Sequence, residues 1–582
     1  MTKQNSNPLT GRNRLLLSTA LCATMLYPTA PLFAADGTLE EITVTAQKRE
    51  QGINDVGITV NAFNADMLEN FGVHTADDLE AIVPGLTITS AFPSGVPIYT
   101  IRGVGFADSA PVASSTVGLY FDEVSMPYAV MTRGALFDME RVEVLKGPQG
   151  DLYGRNTTGG QINFVSRKPT EETQAGITID FSRFNIFSAE GYISGALSDK
   201  IKGRLSTQIT QSDSGWQQSI TRPGDTLGKR NEVALRGLLD IDLTENATLK
   251  LNIHYFRDKS DNIGVTAYDG TDIFGVVQPL PTGPDATPFF SVGDNRAADW
   301  PENFRPKRDN TLKGASAKLE WSFEGVDLTT ITAYDKFDRS ESFETAGVDF
   351  ADALIIRDSK LEVFSQEIRL SSNDEDSPLF WVIGGYYSND TVAEDYFFDM
   401  KDSFFGAFLG INEITTDSVQ DTESIAAFAH AEWSFSEEFK LTVGGRYTEE
   451  DREWTGCTYD TGEGSLSAFW NGAFGLSGDA ALQPGDCAIL DDIPTSPNFF
   501  GFGVFNDTIS TNKWMWKATL DYSPTDDVLL YGTISTGFKS GGFNGAAANA
   551  HSQLLPYQPE TLTSYELGMK TTLLDGRMQL NA

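Results

Sequence analysis

From residue 248 to 256 the chain alternates strictly: Leu249, Leu251, Ile253 and Tyr255 fall on one face of an extended segment, Lys250, Asn252 and His254 on the other. The same period of two returns in 513–522, where Trp514, Trp516, Ala518, Leu520 and Tyr522 oppose Lys513, Met515, Lys517, Thr519 and Asp521. It returns again in 424–435, where Ile425, Ala427, Ala429, Ala431, Trp433 and Phe435 share a face. Side chains of a strand point alternately to its two sides, so each segment predicts a strand of roughly ten residues, greasy and aromatic-edged on one side and polar on the other. The pattern starts near residue 175 and continues to the end of the sequence.

A soluble sandwich alternates too; the connections separate it from a membrane barrel. Short polar turns at 198–200, 244–247, 324–325, 373–377, 436–438, 524–527 and 575–576 take turns with long connections near 212–228, 258–310, 340–358, 390–422, 450–511 and 541–560. Every second connection is short. Antiparallel strands put alternate connections at opposite ends, so one rim has tight turns and the other long excursions, as in outer-membrane barrels. After the N-terminus no stretch reaches the roughly 18 consecutive apolar residues of a membrane helix. The strand count comes to about fifteen, whereas a barrel with a plugged lumen has about 22, and an open edge in lipid would leave backbone groups unpaired. The expectation is a transmembrane antiparallel β-barrel, truncated at its C-terminal end after Asn581 and Ala582.

Ahead of this region, residues 56–169 mix short strands with helical stretches at 65–71 and 75–82 and turn material at Pro84 and Gly85, an α+β pattern. Residues 140–169 read Glu-Arg-Val-Glu-Val-Leu-Lys-Gly-Pro-Gln-Gly-Asp-Leu-Tyr-Gly-Arg-Asn-Thr-Thr-Gly-Gly-Gln-Ile-Asn-Phe-Val-Ser-Arg-Lys-Pro. Strand-like 142–145 and 161–166 flank a loop holding Gly147, Gly150, Gly154, Gly159 and Gly160, where glycine allows several tight reversals. The Lys-Gly-Pro, Leu-Tyr-Gly-Arg and Gly-Gly-Gln-Ile-Asn pieces, in that order and spacing, resemble the end of the plug domain of TonB-dependent outer-membrane receptors. Val83-Pro84-Gly85-Leu86, Ile101-Arg102-Gly103 and the run from Gly118 to Val124 resemble the same family. Asp151 departs from the small or hydroxyl residue expected before Leu-Tyr-Gly. The resemblance implies a mainly β fold with the plug inside the barrel lumen, and the chain divides as 1–35 signal peptide, 36–55 TonB box and linker, 56–170 plug and 171–582 barrel.

Composition narrows the function. With 43 basic against 81 acidic residues the net charge is −38, which repels a phosphate backbone and argues against nucleic acid as a partner. Lys3, Arg12 and Arg14 precede an apolar run at 15–26 and the small pair Ala34 and Ala35, the layout of a secretory signal peptide. Cys22 lies inside that run, leaving Cys457 and Cys487 as an even pair in an exported protein, expected to be bonded to each other. His74, His254, His430 and His551 are scattered without ligand spacing, so no metal site, cofactor or catalytic constellation is expected and the protein is not read as an enzyme.

The resemblance also implies residue roles. Ile42, Thr43, Val44, Thr45 and Ala46 form a short β-prone segment similar to the TonB box, able to add as a strand to a partner's sheet edge. Plug arginines paired with barrel glutamates would keep the plug seated, with Arg102 and Arg141 on the plug and Glu367 and Glu566 on the barrel as candidates. Phe92, Tyr99, Phe106, Tyr128 and Arg133 lie on the plug loops expected to meet the ligand; aromatic and arginine side chains suit an anionic metal chelate, and equally an oligosaccharide. The expected partners are TonB with its inner-membrane energising complex, outer-membrane lipid and a small metal-chelate ligand. The expected location is the outer membrane, with plug and TonB box toward the periplasm. Uptake of a carbohydrate or cobalamin is one alternative, and a secreted acidic β-rich adhesin another.

Overall fold

The computed structural model describes residues 42–91, 95–108, 110, 112–134, 136–266, 294–374, 376–545, 548–574 and 576–582. The signal-peptide reading of 1–35 and the ligand candidate Phe92 lie outside the described residues.

A 16-stranded antiparallel sheet forms the wall. All but the short strand Lys307–Arg308 lie on one path that follows chain order from Gln174–Ser182 to Met578–Asn581, each strand pairing with its predecessor. The first and last strands of the path are not paired with each other among the described residues. The wall is inside out relative to a soluble sheet. Leu567 is 88% exposed and Trp514 69%, while Asp390, Gln420 and Lys517 on the opposite face are buried. An outward apolar face and a polar inner face are stable only with lipid outside, which removes the soluble-sandwich alternative.

The turns fall where the alternation placed them, but the strands run further than ten residues. Val326–Glu344, Leu354–Ser372, Leu379–Asp399, Glu413–Ser434, Phe439–Tyr459 and Phe505–Thr525 have 19 to 22 residues. The expected long connections at 340–358 and 390–422 are therefore mostly strand, and only 345–353 and 400–412 link those strands. The reason is chemical. Beyond the lipid the outward positions no longer need to be apolar, so Asp358, Asp395 and Asp417 stand opposite one another across neighbouring strands. The hydrogen-bonded ladder continues where the hydropathy signal has faded.

The N-terminal unit centres on a five-stranded sheet in the order Val60–Asn64, Met139–Lys146, Gly160–Ser166, Val117–Phe121, Val124–Ser125. Both faces of its central strands are covered: Val142, Val144, Ile162 and Phe164 are buried in one apolar core with Leu119 and Ile101, and Leu145 on the other face is buried with Val44 and Ile58. Asn64 caps the helix Ala65–Asn70 by accepting from the Met67 amide at 2.9 Å. The second helical stretch is a 3₁₀ helix, Ala76–Ala81, with Thr75 and Asp78 forming a capping box.

The wall encloses this unit. Contacts to it come from one strand after another along the path: Arg204 to Asp138, Arg236 to the Phe137 carbonyl, Asn252 to Asp122, Lys318 and Arg369 to Glu123, and Thr533 to the Gly57 carbonyl. A sheet that touches one body from both ends of its path must curl around it. The N-terminal unit fills the lumen.

Candidate functional site

The plug is held to the wall most tightly at the Gly-rich loop. Gly154 turns with φ +83°, and a Cβ there would come within 2.5 Å of the Arg446 guanidinium, so both backbone and space require glycine. That turn projects Arg155 between Asp390 on Leu379–Asp399 and Glu450 on Phe439–Tyr459. Arg155 pairs with both carboxylates, at 2.7 Å for Glu450. Both carboxylates are fully buried. The Asn156 amide donates to the Phe538 carbonyl at 2.8 Å, and Arg446 donates to the Leu152 carbonyl at 3.2 Å. A buried pair of this kind gains from its geometry but strands a charge if one partner goes.

Of the expected latch residues, Arg102 and Glu566 meet. Arg102 Nη1 donates to Glu566 Oε2 at 2.6 Å and its Nη2 to Thr59 Oγ1 at 3.1 Å, while Tyr531 and Thr59 complete the carboxylate's bonds. Arg102 is 42% exposed, so solvent screens this pair more than the Arg155 cluster. Arg141 does not reach the wall. Its strand places it beside Glu143 at 2.8 Å and Glu140 at 2.6 Å, both plug residues. Glu367 instead takes Lys48 at 3.0 Å and its own strand neighbour Arg369 at 2.7 Å. Arg155, Lys48 and Arg49 were not singled out from the sequence. Arg155 was visible as the one cation in the Gly-rich loop, whereas the partners of Lys48 and Arg49 follow only from the fold.

The segment 42–46 is docked. Thr43–Val44 pairs antiparallel with Gln51–Gly52, and Val44 and Ala46 are buried with Ile53, Val56, Ile58 and Leu145. Thr45 donates through its amide to Glu143 at 2.9 Å, and its carbonyl accepts from the Tyr153 hydroxyl at 3.1 Å. From there the chain is pinned stepwise to the wall: Lys48 to Glu367, Arg49 to Glu432 at 2.8 Å, the Ile53 carbonyl to Lys570 at 2.6 Å, the Asp55 carbonyl to Lys440 at 2.8 Å and Thr59 to Glu566 at 2.8 Å. Burial pushes the Lys48 ammonium below its usual range despite the pull of Glu367, so docking this lysine carries a desolvation cost that offsets part of its ion pair.

The expected ligand contacts separate. Phe106 is half-buried, its ring tilted against Tyr557 with centroids 5.8 Å apart, and the Lys539 ammonium lies 4.1 Å from its ring centroid. Tyr99 and Tyr128 are buried, and the Tyr99 hydroxyl bonds to Thr132 at 2.8 Å, so neither ring offers a surface to an arriving molecule. They belong to the plug core because their strand and turn positions face inward. Arg133 is half-buried and donates from Nε to the Gly95 carbonyl at 2.8 Å. Cys457 and Cys487 are joined by a disulfide, with Cα atoms 5.7 Å apart.

A lipid-facing β-wall with a polar lumen, stoppered by the chain's own N-terminal domain, defines a plugged outer-membrane receptor. The family models agree: "TonB-dependent Receptor Plug Domain" matches residues 53–161 and "TonB dependent receptor-like, beta-barrel" matches 246–582. The chain belongs to the TonB-dependent receptors, outer-membrane barrels that work with TonB. It is 25% identical over 551 residues to the pesticin receptor of Yersinia enterocolitica, covering 94% of this chain and 69% of that protein. In structure it is similar to the ferric yersiniabactin uptake receptor FyuA from Yersinia pestis, with TM-score 0.69, 17% identity, and coverage of 89% of this chain and 70% of that one. It is also similar to the siderophore receptor PiuA from Acinetobacter baumannii, with TM-score 0.68, 15% identity, and coverage of 91% and 72%.

Proposed function

We propose that this receptor binds a ferric siderophore at the outer rim and admits it when TonB, energised from the inner membrane, pulls on residues 42–46. The observation that carries the reading is the docked N-terminal segment: a β-prone strand, held by separable ion pairs and hydrogen bonds, leads directly into the plug. The named ligands of the relatives, ferric yersiniabactin and siderophores, support iron as the cargo. In this reading residues 1–35 direct export, 36–55 form the handle and linker, 56–170 the plug and 171–582 the wall. The short turns face the periplasm and the long connections face outward.

Arg102 with Glu566, and Arg155 with Asp390 and Glu450, keep the plug seated between events. Phe106 and Arg133 are the plug side chains assigned in this reading to ligand contact, while Cys457–Cys487 closes the long outer loop and limits its wandering. The test is uptake of radiolabelled iron presented on a panel of siderophores, in iron-starved cells with and without the gene, each with and without TonB. Uptake that requires both supports the reading. Gene-dependent uptake of a glycan or cobalamin that ignores iron status would replace it with the other nutrient class.

A further inference from the structure

We propose that His430 is a proton-sensitive latch that fastens the plug loop at 150–154 to the barrel wall through Asp151. His430 sits at an inward position on Glu413–Ser434, almost fully buried, between a plug carboxylate and a wall carboxylate. Its Nδ1 lies 3.4 Å from Asp151 Oδ2 and its Nε2 3.6 Å from Glu432 Oε1. Space for this meeting is built into the wall. Gly444 stands directly across from His430 in the sheet, and a Cβ on it would lie 2.4 Å from Asp151 Oδ2 and 3.0 Å from His430 Nδ1. Only a residue without a side chain leaves room for the carboxylate. Asp151 is also the position at which the Leu-Tyr-Gly loop departs from the expected small or hydroxyl residue.

The chemistry follows from donor count. An imidazolium carries two N–H donors and can serve both carboxylates; neutral imidazole has one donor and turns a lone pair toward the other carboxylate. In a dehydrated site that mismatch costs the desolvation of an unpaired charge. The surrounding groups fix which member titrates. Glu432 is also held by Arg49 at 2.8 Å and Lys440 at 3.8 Å, and Lys440 reaches Asp521 on the next strand at 3.3 Å. Burial pushes the Asp151 carboxyl up, but the pull of His430 and of Lys517 on Phe505–Thr525 brings it below its usual range. Both carboxylates therefore stay charged, and His430 between them is the member of the set that gains or loses a proton. The sign is fixed: the latch is closed when His430 is protonated and loosens as pH rises through its titration. Because Glu432 also holds Arg49, the proton on His430 is felt in the linker just after the residues that the proposed function assigns to TonB.

The test uses the full-length receptor in outer-membrane vesicles, without ligand or TonB, and reads amide hydrogen exchange in 149–156 corrected for intrinsic rate. Between about pH 5.5 and pH 8.5 protection of this loop in the natural protein should fall by about tenfold, the change produced by one pKa unit of coupling. His430→Asn and Asp151→Asn should each give low protection at both pH values. Equal protection of the natural protein at both pH values, or a pH step that persists in either variant, would overturn the proposal. Should His430→Asn fail to insert, Asp151→Asn, on the plug side of the contact, decides. Since no transport is measured, a flat profile removes the latch and leaves the import reading standing.

Discussion

Arg155 on the plug donates to Glu450 on the wall at 2.7 Å, and the same guanidinium is shared with Asp390 two strands away. One plug side chain thus ties two non-adjacent strands together from inside. Arg155→Ala leaves the buried Asp390 without its ion-pair partner and Glu450 with Arg452 alone, so unfolding should become easier by about 3–5 kcal/mol. The midpoint of heat modifiability in gels, or of urea unfolding, measures it. Glu450→Gln should cost less, because Asp390 still pairs with Arg155.

Lys48 and Glu367 should be coupled and Arg141 and Glu367 should not. In a double-mutant cycle on plug stability, Lys48→Met with Glu367→Gln should show an interaction of about 0.5–3 kcal/mol, whereas Arg141→Met with Glu367→Gln should be additive. Additivity in the first pair would show that the docked segment does not depend on this contact.

Val44→Pro removes a backbone donor and fixes φ where the segment must extend against a partner strand. Ligand binding to cells should stay within about twofold of the natural protein, while energised uptake falls to the level of cells without TonB. Unimpaired uptake in this variant would remove residues 42–46 as the site of pulling.

On the lipid side, Leu567→Arg should destabilise the wall by about 2–4 kcal/mol if it lies near the bilayer midplane. Thr563, on the same strand nearer the rim, should tolerate arginine with a cost of about 0–1 kcal/mol. Fractions of folded receptor recovered in the outer membrane would rank the two.

Much of the architecture was readable from alternation, because lipid on one side and a polar plug on the other impose a period of two on every strand. The turns were legible for the same reason: each lies where the alternation breaks, and all but the Ser-Glu-Glu turn at 436–438 hold Gly, Asp or Asn. Strand ends at the outer rim were not, since Asp358, Asp395 and Asp417 obey hydrogen bonding without obeying hydropathy. The latch was half legible. Arg102 and Glu566 could be matched because motif and face agreed, whereas Arg141 lies on a strand whose charged face is satisfied by Glu143 within the plug. His430 stood in the sequence only as one of four scattered histidines; what distinguishes it is Gly444 across the sheet and Asp151 from a distant loop, a meeting that only the fold creates.

The moorings of the N-terminal segment occur in chain order, at Thr45, Lys48, Arg49, Ile53, Asp55, Gly57 and Thr59. Tension applied ahead of Ile42 therefore loads them in series, like a zipper, and never all at once as in shear. The peak force of extraction is set by the strongest single tooth, while the work accumulates over the length drawn out.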